Sequence, residues 1–128
     1  MSPASETMTT IRPQLAAETS VQPLEPVVVH VRVPPYTTEM VRVWQSTFLL
    51  DRASNHTSRL LSFEKISLYP HWTRVDYTKP YVFTLVFEGL PPAVRSFDLA
   101  EIIPDPNGFR IEAIARRPGD VYEVDVAF

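Results

Sequence analysis

The chain has 128 residues, with 12 Lys and Arg against 15 Asp and Glu, three His and no Cys. That length supports one domain, or a domain plus a tail, and is too short for a barrel enzyme of alternating strands and helices. Without cysteine there is no disulfide framework, thiolate metal site or thiol nucleophile, and a net charge of −3 argues against a chain built to neutralise the phosphates of nucleic acid.

Residues 1–26 hold Pro3, Pro13, Pro23 and Pro26 among Ser, Thr, Ala and Glu, and their apolar residues follow no period. Such a stretch cannot bury enough apolar surface to offset the entropy of ordering it. It reads as an extended proline-rich leader or arm, disordered alone or docked on a neighbour. The opening has neither a basic region nor a sustained apolar run, so no secretory signal is read and a cytoplasmic location is expected. No run reaches membrane-spanning length, and no membrane insertion is expected.

From residue 27 to 128 the pattern becomes short apolar runs separated by turns. Val27, Val29, Val31 and Val33 alternate with Val28, His30 and Arg32, which is strand period, and Pro34-Pro35 stops it. Strands are predicted next over residues 40–45 and 47–50, then a turn over 52–57, then a strand over 60–66. Residues 68–77 read as an aromatic loop. Residues 81–88 give the strongest strand, with Phe83, Leu85 and Phe87 on one face and Thr84 and Glu88 on the other. Further strands are predicted over 95–100, with Phe97 and Leu99 inward, over 109–113, with Phe109 and Ile111 inward, and over 121–126. Pro104-Asp105-Pro106-Asn107-Gly108 and Arg117-Pro118-Gly119-Asp120 supply the turns, the second as a type II turn. Eight short strands at regular spacing imply an all-β fold, an antiparallel β-sandwich rather than a closed barrel, since so few glycines leave little for tight barrel corners.

The run Phe83-Thr84-Leu85-Val86-Phe87-Glu88-Gly89-Leu90-Pro91, followed by Ser96-Phe97-Asp98-Leu99-Ala100-Glu101 and Gly108-Phe109, resembles a pattern in small immunoglobulin-like domains of unknown function from Bacteroidetes. The stretch from Trp44 to Asp51 is similar as well, so the resemblance covers about residues 27–115. It implies an immunoglobulin-like sandwich and an accessory-module role, and it carries no catalytic residue. On the physical reading, Trp44 belongs to the core, while Asp98 and Glu101 point outward and keep an edge from pairing promiscuously. Glu88, Asp98 and Glu101 lack the dense oxygen-ligand spacing of a calcium loop, so no metal site is expected.

No Gly-x-Ser-x-Gly elbow, phosphate-cradling loop or metal-ligand spacing occurs, and His30, His56 and His71 read as structural or solvated. No enzyme and no cofactor are expected. The one stretch with binding character is Tyr69, His71, Trp72 and Arg74 with Tyr77 and Tyr81, because exposed aromatics with an arginine make interface hot spots and stacking platforms. The preferred reading of the same residues is nonetheless that they cap one end of the core, with binding as the alternative. Residues 27–79 carry a charge of +3 and residues 80–128 a charge of −4, an asymmetry suited to head-to-tail association unless interleaved strands dissolve it. The expectation is a non-enzymatic structural or protein-interaction module with a protein partner or a homo-oligomer, assembling through the arm or edge strands. A small-ligand binder using the aromatic loop is the alternative, and a hydrolytic enzyme the third reading.

Overall fold

In a computed structural model of the protein, residues 24–128 are described, and the leader predicted for residues 1–26 lies outside them except for Leu24, Glu25 and Pro26. Among the described residues there is no helix. The strands are β1 (Val27–Val33), β2 (Met40–Val41), β3 (Thr47–Leu50), β4 (Thr57–Glu64), β5 (Thr73–Arg74), β6 (Tyr81–Phe87), β7 (Ser96–Glu101), β8 (Arg110–Ala115) and β9 (Val121–Asp125). Seven of them form one mostly antiparallel sheet in the order β9-β1-β6-β4-β3-β7-β8, and β2 pairs with β5 in a separate two-stranded ribbon. The β9–β1 ladder is parallel, with Tyr122 opposite Val29.

One strand serves two neighbours. The first residues of β4 pair with β3, Arg59 opposite Phe48, while its second half pairs with β6, Phe63 opposite Leu85. A register shift between Leu60 and Ser62 marks the handover, the local bend a bulge produces. The valines of β1 and the Phe83, Leu85 and Phe87 face of β6 are buried as their alternation predicts. Phe97 of β7 meets Tyr122 of β9 edge-on, with ring centroids 5.0 Å apart, although these strands lie far apart in sheet order. The sheet therefore curls until its distant strands share one core. Strands β8 and β9 are joined by the Arg117–Asp120 turn, where Gly119 has φ +87° as the third position of a type II turn requires.

Three local expectations are corrected. The strand predicted over 40–45 is only Met40–Val41, followed by an isolated parallel bridge from Val43 to Leu68, because the Val43 backbone bonds to Ser67 and Tyr69 of the aromatic loop instead of extending the β2 ladder. That loop itself contains β5. Asp98 is buried, not outward, and β7 is no edge strand, since β8 covers it. The register of β7 and β8 shifts between Phe97 and Leu99, so Glu112 and Ala113 bulge opposite Asp98. There the Ala113 amide donates to Asp98 Oδ1 at 2.9 Å, and Arg52 and Arg110 donate to Oδ2 at 2.8 and 2.7 Å.

Candidate functional site

Strand alternation through β2 and the residues after it puts Val41 and Val43 in the core and leaves Met40, Arg42 and Trp44 on the outer side. The returning loop is fastened to this segment by its backbone. Val43 donates to the Ser67 carbonyl at 3.0 Å, and Tyr69 donates to the Val43 carbonyl at 2.8 Å. The Ser67 and Thr73 hydroxyls meet at 2.6 Å and close the base of the loop, while Thr73 pairs with Val41. This fastening fixes where the aromatic side chains land.

Tyr69 stacks on Trp44 with centroids 3.8 Å apart and planes 21° from parallel. The Arg42 guanidinium lies 4.7 Å from the Tyr69 centroid and 3.8 Å from the Trp72 centroid. It also donates from Nη1 to the Pro70 carbonyl at 3.2 Å. The result is a stack in the order Trp72, Arg42, Tyr69, Trp44. Arginine suits this position because its plane can stack on an aromatic face while its edge still donates. Tyr69 and Trp72 remain about half exposed, at 48% and 50%, so the stack is an outward-facing surface held by its own contacts.

Beside it lies a groove of about 260 Å³ between Met40, Arg42, Trp44, Trp72, Glu101 and Phe128, with Asp105 and Asn107 on its rim. Glu101 Oε2 accepts the Trp44 amide at 3.1 Å and anchors that end of the stack. Burial pushes the Glu101 carboxyl above the usual range, more than the Trp44 and Phe109 amides and the Arg42 charge pull it down.

The six residues predicted as one binding patch are divided by the structure. Tyr69 and Trp72 are brought together, and Arg42 and Trp44, which sequence reasoning left out of the patch, complete them. Trp44 is a half-buried stacking partner and not a core residue, because Val41 and Val43 take the inward positions of its segment. Tyr77 instead meets Tyr36 edge-on at 5.5 Å, and the Tyr81 hydroxyl donates to the Lys65 carbonyl at 2.6 Å. His71 and Arg74 are exposed outside the stack, His71 in the turn that its amide makes to the Leu68 carbonyl. The signal for Arg42 and Trp44 was available as an i, i+2 pair on the face opposite two core valines.

The remaining histidines have local partners. His30 Nδ1 lies 2.8 Å from the Thr84 hydroxyl, across the β1–β6 ladder. His56 Nε2 lies 2.8 Å from Ser58 Oγ, a serine–histidine contact. Ser58 is fully buried and its hydroxyl is directed to the Gly89 carbonyl at 3.2 Å, so a substrate carbonyl has no approach to it. Among the described residues no group of three or more His, Asp and Glu is placed to hold a metal ion. Comparison of the chain with protein-family models, with curated proteins and with solved structures finds no match in any of the three.

Proposed function

We propose that this protein is a non-enzymatic interaction module, an immunoglobulin-like sandwich that presents the Trp72, Arg42, Tyr69 and Trp44 stack to a protein partner. The sandwich reading is supported by the two distant strands that meet through Phe97 and Tyr122 and by the absence of a ladder between β8 and β9, which leaves the sheet open. The observation that carries the functional reading is the stack itself. Trp, Tyr and Arg are the residues that dominate interface hot spots. Here Tyr69 and Trp72 are exposed yet already ordered by stacking on the half-buried Trp44 and Arg42 and by the bond from Arg42 to Pro70, so binding need not immobilise them afresh.

The test is site-specific photocrosslinking in native extract, with the crosslinker at position 72 and, as control, at position 123 on the β9 edge. The reading expects a discrete protein adduct from position 72 that is lost when Arg42→Ala is added. Adducts of equal yield from both positions would count against it. A second copy of the chain as the adduct would make the partner a homo-oligomer, the form in which the proline-rich arm has a part.

The groove favours a second reading, a small ligand held between the stack and Glu101. It predicts thermal stabilisation by some member of a ligand panel that disappears in Trp72→Ala while the unliganded melting temperature stays unchanged.

A further inference from the structure

The chain has two asparagines, Asn55 and Asn107, and only Asn107 is followed by glycine. Asn107 is exposed in the connection from β7 to β8, and its backbone N–H donates to Asp105 Oδ1 at 2.8 Å. Gly108 cannot be exchanged for another residue without cost, because a Cβ there would lie 2.3 Å from the Glu101 carbonyl oxygen. Packing of the loop against the end of β7 thus demands glycine at the position where its missing side chain leaves the backbone nitrogen unshielded. Asn107 also stands on the rim of the groove that holds Arg42, Trp72 and Glu101.

We propose that Asn107 is a modification site at which the chain deamidates itself, water being the co-reactant. The Gly108 nitrogen attacks Asn107 Cγ. A nitrogen–Cγ bond forms and closes a five-membered imide, the Cγ–Nδ2 bond breaks, and Nδ2 leaves as ammonia with the proton that the Gly108 amide gives up. Water then opens the ring at either carbonyl and gives aspartate or isoaspartate. Nothing is oxidised or reduced. Asparagine is among the thermally labile residues, and glycine on its C-terminal side removes the steric barrier to ring closure. Asn55 is the internal control, because His56 follows it and puts a side chain beside the attacking nitrogen. The product places a third carboxylate beside Glu101 and Asp105 at the groove that contains Arg42, so the rim becomes more acidic whatever the groove binds.

The test is to age the purified full chain at mildly alkaline pH and map its peptides by mass spectrometry. The expected result is the mass gain of an amide becoming an acid, confined to the peptide with Asn107 and resolved into aspartyl and isoaspartyl forms. A more acidic ion-exchange species should accompany it and be lost in Asn107→Gln. The proposal is overturned if the folded chain shows no conversion over a time in which the free peptide 104–110 converts, or if Asn55 converts as fast as Asn107.

Discussion

Asp98 Oδ1 accepts the amide of Ala113 at 2.9 Å, and it does so where β8 bulges away from β7 and Ala113 takes a φ of +57°. The carboxylate replaces the ladder bond that the bulge removes, and its other oxygen takes Arg52 and Arg110. Burial pushes the Asp98 carboxyl up, but the Ala113 amide and the two guanidinium groups together outweigh it and hold the carboxyl below its usual range. Asp98→Ala leaves the Ala113 amide without its partner and is expected to cost about 2 kcal/mol, a figure kept low because both arginines stay in contact with water. Asp98→Asn retains an acceptor and should recover part of that loss. Urea unfolding measures both, and a loss under about 0.5 kcal/mol for Asp98→Ala would show that water substitutes for the carboxylate.

Ala113 itself gives a prediction of opposite sign. A left-handed backbone costs an L residue about 1–2 kcal/mol, while glycine adds about 0.4–1 kcal/mol of unfolded-state entropy. Ala113→Gly is therefore expected to stabilise by a fraction of a kcal/mol, whereas Ala113→Val, branched at Cβ, should destabilise. Melting temperatures of the pair would decide it, and a glycine variant less stable than the parent would place the strain elsewhere.

Much of this fold was legible in the sequence. The alternation in Val27–Val33 and Tyr81–Phe87 needs no tertiary information, and Pro118-Gly119 announces its own turn. Asp98 was not legible, because a charged residue between Phe97 and Leu99 has the pattern of an outward position in any strand. Only the bulge and two arginines from other segments bury it. Of the site, Tyr69 and Trp72 showed as exposed aromatics. Arg42 and Trp44 were legible only as the outward positions of an alternating segment, since the parallel bridge from Val43 to Leu68 that brings Tyr69 and Trp72 against them has no local pattern.

Both tryptophans, Trp44 and Trp72, belong to the stack, so tryptophan fluorescence, excited selectively over the tyrosines, reports on this surface alone. Arg42→Lys keeps the charge but removes the planar group that lies over Trp72 and Tyr69. Stability should change by no more than about 1 kcal/mol, as for other exposed cation–aromatic contacts. The emission maximum and acrylamide quenching should nonetheless move clearly toward a more solvated tryptophan. Unchanged quenching would mean that Arg42 does not order the stack.

Two carboxyls give stability opposite pH dependences. Arg116 donates to Asp120 at 2.7 Å and also to the carbonyls of Leu90, Pro91 and Val94, tying two loops together. The Arg116 hydrogen bond, against partial burial and with help from Tyr122, holds the Asp120 carboxyl below its usual range. Its stabilisation is complete above about pH 4, the unfolded value, and is lost as pH falls through the folded one. Glu101 is shifted upward, so its folded state binds the proton more tightly, and stability declines as pH rises from the unfolded value through the folded one. Asp120→Asn should flatten the acid limb of the stability–pH curve and Glu101→Gln the fall on the other side. A Glu101→Gln curve parallel to the parent's would show the carboxyl to be better solvated than its surroundings imply.

The glycines separate backbone cost from crowding. At Gly119, with φ +87°, an added Cβ meets nothing within 4 Å, so Gly119→Ala should cost only the backbone penalty of about 1 kcal/mol. At Gly89 a Cβ would lie 2.4 Å from Leu24 Cβ and 2.5 Å from the Glu25 carbonyl oxygen, both in the segment that leads into β1. Gly89→Ala must displace that segment, with a cost of about 1–3 kcal/mol. The two effects respond differently to removal of residues 1–26. Truncation takes away the atoms that crowd Gly89 and should bring the Gly89→Ala loss close to zero, while the Gly119→Ala loss stays the same. Equal losses at Gly89 in the full and truncated chains would mean that Leu24 and Glu25 do not pack there in solution, and that the contact between the leader's end and the sheet is not maintained.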